Sequence, residues 1–361
     1  MSALATIRQM SVETLDIPLL EPFGISGGAQ DLARNALVTV ELADGTRGYG
    51  EAAPFEAFNG ETQAKAMTAI EAARVVVEGA DAREWRRVAV AVRDAVDHVG
   101  SAQCAIETAV LDALTRHASM PLWAFFGGAS TRLETDMTVT TGTVEQAARA
   151  ARAIVERGIR IIKVKIGSGD LPLDIARVEA IHEAAPSAPI ILDGNSAFTT
   201  GQALELLSVL QERGVPVALF EQPTRKDDWK GLRQVTHWCG APVATDESVS
   251  SGREALRVVH EHAAQVVNIK LMKGGIVEAL DIAAICRAAG IQLMIGGMVE
   301  SILAMTTSAC FAAGQGGFSY VDLDTPLFMA ENPFDGGFRL EGGILTLDHI
   351  TAGHGVTPIA R

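Results

Sequence analysis

The chain has 361 residues, more than one average core and enough for a barrel with a smaller attached domain. Its 48% hydrophobic and 20% charged residues describe an ordinary globular protein, which argues against disorder and coiled coil, and a formal net charge of −14 argues against nucleic acid and anionic membranes as partners. Cys104, Cys239, Cys286 and Cys310 are widely spaced with no C-x-x-C pair, so free buried thiols are expected rather than a zinc site or a disulfide framework.

In chain order, Met1 to Pro18 interleaves Arg8, Glu13 and Asp16 with apolar residues and lacks the uninterrupted apolar region of a signal peptide. No later stretch approaches the apolar run of a membrane span, and a soluble cytoplasmic protein is expected. Leu37 to Leu42 and Arg47 to Glu51 flank Asp44-Gly45, a strong hairpin-turn signal. Helical spacing of apolar residues then predicts helices over Thr62 to Val77, Ala82 to Val99 and Ser101 to His117. Gly127-Gly128 punctuates the chain, and residues 1–128 read as an α+β domain.

From Thr135 short apolar runs alternate with longer helical stretches, the signature of repeated β-α units and a parallel sheet. The runs are Met137 to Thr140, Ile161 to Ile166, Pro189 to Leu192, Val217 to Phe220, Pro242 to Ala244, Val266 to Ile269, Gln292 to Ile295 and Ser319 to Leu323. Eight runs fit a closed barrel over 129–326 better than a doubly wound sheet, and no G-x-G-x-x-G follows any of them. After Pro326 the repeat ends. The tail, 327–361, carries hairpin-like glycines (Gly336, Gly337, Gly342, Gly343) and is expected to return to the first domain.

Barrel enzymes draw their reacting groups from the C-terminal ends of the strands. Here these ends carry Lys163 and Lys165, Asp193 and Asn195, Glu221, Asp246 and Glu247, Lys270, Glu300 in the following loop, and Asp322 with Asp324. A single charge there is an ordinary solvated loop residue. Three consecutive strands ending in Asp193, Glu221 and Asp246 are different, because hard oxygen ligands of this kind suit Mg²⁺. A lysine with an ordinary pKa near about 10.4 is a poor base at neutral pH, but positive neighbours and burial lower it. Lys163 and Lys165 share one strand face, so one is a candidate tuned base, while Lys270 lies across the barrel mouth, either as a second base or as an ion pair closing the barrel top. Lys273 reads as a solvated loop residue. The histidines fall outside the strand ends, and neither G-x-S-x-G nor a P-loop is present, so histidine bases, His-bound metal, and acyl or phosphoryl transfer lose support.

Lys163-Val164-Lys165, Leu192-Asp193-Gly194-Asn195, Phe220-Glu221-Gln222-Pro223, Asp246-Glu247-Ser248, Asn268-Ile269-Lys270 and Lys273-Gly274-Gly275-Ile276 together resemble the muconate-lactonizing subgroup of the enolase superfamily. The resemblance extends to Gly48-Tyr49-Gly50-Glu51 and Met120-Pro121-Leu122, and so covers nearly the whole chain. It implies a modified (β/α)8 barrel of (β/α)7β type, an α/β fold, under an N-terminal α+β capping domain completed by the C-terminal segment. It further implies one Mg²⁺ per subunit on Asp193, Glu221 and Asp246, with Lys165 and Lys270 as the acid/base pair and Lys163 assisting electrostatically. The shared chemistry is removal of the proton α to a carboxylate through an enediolate. The subgroup includes cycloisomerases, o-succinylbenzoate synthase, N-acylamino acid racemases and dipeptide epimerases, so membership alone does not name the reaction. Many members have a tryptophan just beyond the Asp-x-Asn motif, where this chain has Ala197-Phe198.

Asp322 and Asp324 alternate on one strand face, a pairing suited to an ammonium group or to a hydrogen-bonded strand end. Dipeptide epimerases resembling this chain hold the substrate's α-ammonium on such a D-x-D pair, which favours that reaction. Thr138, Met298, Glu300, Ile25 and Glu56 complete the candidate substrate contacts. Members acting on Ala-Glu have an arginine in the loop Pro22 to Gln30, where Gly28 stands here, and without it a buried side-chain carboxylate would be unpaired. Glu56 between Phe55 and Phe58 admits a basic side chain, and the aromatics an apolar one. A dipeptide ending in an apolar or basic residue is therefore the expected substrate, and a homo-oligomer the expected assembly. A metal-independent Schiff-base aldolase on Lys165 or Lys270 and a non-enzymatic binding module are the rival readings.

Overall fold

The structure is a computed structural model and describes residues 5–25 and 28–359. It begins with a three-stranded antiparallel sheet of β1 (Ile7–Ile25), β2 (Gly28–Leu42) and β3 (Arg47–Ala52) in that order. The short helix α1 (Glu56–Asn59) follows, then α2 (Gln63–Val77), α3 (Trp85–Ala95), α4 (Gly100–His117) and α5 (Leu122–Phe125). The Asp44-Gly45 turn joins β2 to β3 as its sequence predicts. Helix α4 packs against that sheet so closely that a Cβ at Gly48 or Gly50 would strike the backbone carbonyl of Ala109 or Ala105. The predicted helix over Ala82 to Val99 is shorter, because it begins as a 3₁₀ turn at Ala82–Glu84 and ends before the left-handed pair Asp97 and His98.

After β4 (Arg132–Glu134) the chain runs through β5 (Met137–Val139), α6 (Val144–Glu156), β6 (Ile162–Lys165), α7 (Leu171–Ala184), β7 (Ile190–Asp193) and α8 (Thr200–Glu212). It continues through β8 (Val217–Glu221), α9 (Trp229–Trp238), β9 (Val243–Thr245), α10 (Gly252–Glu261), β10 (Val266–Ile269), α11 (Gly275–Ala289), β11 (Gln292–Ile295), α12 (Ile302–Gln315) and β12 (Phe318–Val321). Strands β5 to β12 form one parallel sheet in sequential order. Its ends meet where the Asp136 N–H donates to Val321 O at 2.9 Å and the Leu323 N–H to Thr135 Oγ1 at 2.9 Å. Seven helices follow seven of these strands, and the eighth strand leads into a 3₁₀ turn at Thr325–Phe328: the fold is a (β/α)7β barrel.

The tail adds β13 (Phe334–Gly336), β14 (Arg339–Glu341), β15 (Ile344–Thr346) and β16 (Val356–Pro358). Gly342-Gly343 turns β14 into β15, which pairs with β4, the strand just before the first barrel strand. Farther on, the Leu122 N–H donates to Gly353 O at 2.7 Å, and Arg116 Nη2 to Val356 O at 2.7 Å. The tail thus touches both the first barrel turn and the helices of the N-terminal segment.

Candidate active site

Alternation along a strand decides what fills the barrel. Ile191, Leu219, Ala244, Val266 and Met294 form an apolar cluster inside it, with Ile161 and Tyr320 packed alongside. Two residues farther along the same faces come Lys163, Asp193, Glu221, Asp246, Asn268, Gly296 and Asp322. One step in register converts the apolar floor into an ionised layer at the C-terminal ends of the strands.

Lys163 is the hub of that layer and is fully buried. Its Nζ lies 3.0 Å from Asp193 Oδ2, 2.7 Å from Glu221 Oε2 and 2.6 Å from Asp322 Oδ2. Lys165 Nζ donates to Asp193 Oδ2 at 2.6 Å, and Lys270 Nζ lies 2.7 Å from Asp246 Oδ2. Burial pulls the lysines down, but Asp193, Asp322 and Glu221 outweigh it at Lys163, and Asp246 and Glu221 outweigh it at Lys270, so both ammonium groups are held above the ordinary lysine range. The same attraction keeps Asp193 and Asp246 low against the opposing effect of burial, whereas burial and the Asp193 charge push Glu221 up. The mutual depression expected of Lys163 and Lys165 is therefore overridden at Lys163 by carboxylates.

Supporting side chains fix the layer. Asn268 Nδ2 donates to Glu221 Oε1 at 2.6 Å, and Gln222 Oε1 accepts from the Asp246 N–H at 2.8 Å. Arg177, buried on α7, donates to Lys165 O at 2.9 Å and Thr140 O at 2.7 Å, tying the ends of β5 and β6 together. Lys273 corrects its sequence reading. Its side chain is 6% exposed, and its Nζ donates to Asp246 O at 2.8 Å, Asp246 Oδ1 at 3.1 Å and Asn268 O at 2.8 Å. It is a buried clamp on Asp246, not a solvated loop residue.

Above the ionised layer lies a small cavity. Lys165 and Lys270 reach it from β6 and the end of β10, with Thr138, Met298, Asp322 and Asp324 from other strand ends and Phe23, Phe55 and Phe58 from the N-terminal segment. Phe23 meets Phe328 edge to face at 5.5 Å. Asp324 Oδ2 accepts from the Thr138 N–H at 2.7 Å. Burial and the Asp322 charge push Asp324 up to about 7, while Lys163 keeps Asp322 low despite its burial. Phe198, in the loop just beyond the Asp193-Gly194-Asn195 motif, is buried and packs edge to face on Phe220 at 6.1 Å.

Other expected contacts fall elsewhere. Glu300 is buried behind the cavity, its Oε1 accepting from the Met298 N–H at 2.7 Å, and burial pushes it up to about 8. Glu56 is exposed and is not among the described residues lining the cavity, although Phe55 and Phe58 beside it are. The side chain of Ile25 lies outside the described residues, as do Ser26, Gly27 and the side chain of Gly28's neighbour Ala29.

Two groups of carboxylates bear on metal binding. Asp193, Glu221 and Asp246 are fully buried on three adjacent strands, and among the described residues Glu221 Oε2 and Asp246 Oδ2 have as their charged partners only the Lys163 and Lys270 ammonium groups, each at 2.7 Å. That donor set fits a hard divalent cation. Asp136, Asp322 and Asp324 lie closer, with oxygens within 4.8 Å of one another. However, Asp322 is bound by Lys163 and Asp324 by Thr138, while burial and the Asp322 and Asp324 charges hold Asp136 well above the carboxylate range, so Asp136 keeps its proton while Asp322 is ionised and engaged by Lys163.

The comparisons agree with this geometry. Residues 9–127 match the N-terminal domain of mandelate racemase / muconate lactonizing enzyme, and residues 145–360 match the enolase C-terminal domain-like family. The aromatic dipeptide epimerase of Herpetosiphon aurantiacus is 53% identical over 97% of this chain and 98% of its own length. A mandelate racemase/muconate lactonizing enzyme from Roseiflexus sp. superposes with a TM-score of 0.95 at 61% identity, covering all of both chains. The dipeptide epimerase of Enterococcus faecalis, solved with Mg and the dipeptide L-Leu-L-Tyr, superposes with a TM-score of 0.94 at 34% identity over 98% of this chain and 99% of its own. The strand-end lysines and carboxylates, the barrel that gathers them and these matches across both halves place the chain in the mandelate racemase/muconate lactonizing enzyme family of the enolase superfamily.

Proposed function

We propose that this protein is a Mg²⁺-dependent dipeptide epimerase that inverts the α-carbon of the second residue. The observation that carries the reading is the arrival of Lys165 and Lys270 at one cavity from strands on different sides of the barrel, beside Asp322 and Asp324. The dipeptide-epimerase names of relatives over nearly the full chain length support it. Asp193, Glu221 and Asp246 would hold the metal, which when bound supplies positive charge to the substrate carboxylate as the α-carbon loses its proton. One lysine, in its neutral form, takes the α-proton, and the C–H electron pair moves into the adjacent carboxylate. The other lysine, as ammonium, returns a proton to the opposite face, and the electron pair re-forms the C–H bond. Lys163, bonded to Asp193, Glu221 and Asp322 together, fixes their positions and charge. Asp322 and Asp324 receive the substrate's ammonium.

Phe23, Phe55 and Phe58 on the cavity wall favour an apolar, including aromatic, second residue. The exposed Glu56 gives a basic residue less support, and no described cation on that wall other than the two lysines faces a glutamate side chain. Dipeptides incubated in D₂O and followed by mass spectrometry test the proposal. Deuterium should enter the second residue of L-Ala-L-Leu and L-Ala-L-Phe with higher kcat/KM than L-Ala-L-Glu, and N-acetylation should destroy turnover. A preference for L-Ala-L-Glu refutes the specificity. Full activity after metal removal, with borohydride trapping a lysine adduct, replaces the mechanism with the Schiff-base one.

A further inference from the structure

The two lysines are held by different means. Lys165 is fixed by the Asp193 carboxylate, whereas Lys270 has Asp246 on its ammonium and the Phe58 ring, whose centroid lies 4.7 Å from Nζ. Among the described residues Lys270 is the lysine with such a ring contact. A cation at that distance from an aromatic face is attracted to the negative side of the ring quadrupole, and the attraction strengthens where water is excluded. Lys270 is 6% exposed.

Phe58 does not belong to the barrel. It sits on α1, and its own N–H donates to Phe55 O at 2.9 Å. Gly60 closes the turn with φ 76°, and Glu61 then accepts from the Gly100 N–H at 2.9 Å, where α4 begins. Buried Phe55 on one side and buried Glu61 on the other hold the loop. The ring therefore reaches the barrel lysine from a fixed support.

Resting on the two-lysine reading above, we propose that Phe58 is a positioning residue that holds the Lys270 ammonium in reach of one face of the substrate α-carbon, with no counterpart at Lys165 among the described residues. The inference separates from a general role in the apolar wall by its asymmetry. A looser wall slows both stereoisomers, but a misplaced Lys270 slows only the exchange that Lys270 performs.

The test is the ratio of α-proton exchange rates of the two stereoisomers of one apolar dipeptide in D₂O at saturating substrate and Mg²⁺. Lys270→Ala first identifies the isomer whose exchange depends on Lys270, and Lys165→Ala the other. Phe58→Leu, which keeps apolar bulk without the π face, should then shift the ratio at least about tenfold against the Lys270 isomer. Phe58→Tyr should restore it to near the wild-type value. Phe58→Met serves in place of Phe58→Leu if the latter does not fold, judged by its melting curve. An unchanged ratio, parallel loss for both isomers, or a Phe58→Tyr enzyme as skewed as Phe58→Leu overturns the inference. Absence of exchange from the wild-type enzyme with every dipeptide overturns instead the epimerase reading on which it rests.

Discussion

Asp324 shows how burial sets the job of a single carboxyl. Burial, then the neighbouring Asp322 charge, raises it to about 7, so it is neutral below that pH and a carboxylate above it. An ammonium ligand binds the carboxylate and not the acid, and a substrate α-amino group stays protonated up to roughly 7.7 to 8.0. The KM of an apolar dipeptide should therefore fall as pH rises through 7, reach its minimum before about 8, and climb again. Asp324→Asn should raise KM and remove the acidic limb; an intact limb in that variant would assign the titration to another group, such as Glu300. Position in a strand made Asp322 and Asp324, the carboxylates Asp193, Glu221 and Asp246, and the lysines legible in sequence, because each stands at or just beyond an apolar run's end. Lys273 was not legible. Its burial comes from the short 3₁₀ turn Leu271–Lys273, which folds its ammonium back under Asp246, and nothing in the spacing of Lys273-Gly274-Gly275 announces that reversal. Glu56 went the other way: its aromatic neighbours face the cavity while it stays in solvent.

Helix ends explain how the capping sheet is held to the barrel. Glu51, at the end of β3, accepts from the Ser301 N–H at 3.0 Å, the Ser301 hydroxyl and the Ala304 N–H at 3.3 Å, and so supplies an acceptor at the start of α12. Glu107 on α4 does the same for α11 by accepting from the Val277 N–H at 2.9 Å. Helix N-termini have unpaired donors and positive potential, which makes a buried carboxylate there favourable. Glu51→Ala should leave these donors and Asn35 without their partner and lower stability by about 2 to 4 kcal/mol in chemical denaturation, with Glu51→Gln recovering part. A loss below about 0.5 kcal/mol would show that Glu51 is dispensable for docking. The β-α periodicity and the Asp44-Gly45 turn were readable because both depend on local sequence. The long β1–β2 pairing was readable only at its far end. Pro18, Pro22 and the charges Glu13 and Asp16 look like loop, and the register that makes them strand comes from cross-strand partners such as Thr14 with Ala36 and Asp16 with Arg34. The tail is expected to return to the N-terminal segment, which it meets at Gly353 and Val356, and its β15 pairs in addition with β4, a contact that long-range sheet edges impose and local patterns do not encode.

Closure of the barrel forces Asp136, Asp193, Glu221, Asp246, Asp322 and Asp324 into one mouth with Lys163, Lys165, Lys270 and Lys273. That concentration of buried charge is what a whole-molecule measurement should see. The carboxylates of Asp193, Glu221 and Asp246 hold Lys163 and Lys270 above the ordinary lysine range, so a divalent cation placed on the same oxygens competes with the lysines for them. Two consequences follow from that competition. Binding stabilises the native state by about 2.7 kcal/mol at a free metal concentration a hundred times Kd, which appears as a rise in melting temperature on adding Mg²⁺ and its reversal by EDTA. Binding also lowers the lysine pKa values, so protons leave the protein, and adding MgCl₂ to unbuffered enzyme at alkaline pH should acidify the solution. Asn268 tests which oxygens are involved, because its amide orients Glu221 without adding charge: Asn268→Ala should weaken Mg²⁺ binding by roughly tenfold to a hundredfold. Asp193→Asn should remove both the thermal shift and the acidification. If wild-type protein melts at one temperature in saturating Mg²⁺ and in EDTA and releases no proton, these carboxylates serve only to pair the lysines. The barrel mouth would then be an ion-pair network, and any acid/base chemistry at Lys270 would have to proceed with that lysine left above its ordinary range, where it is a poor base at neutral pH.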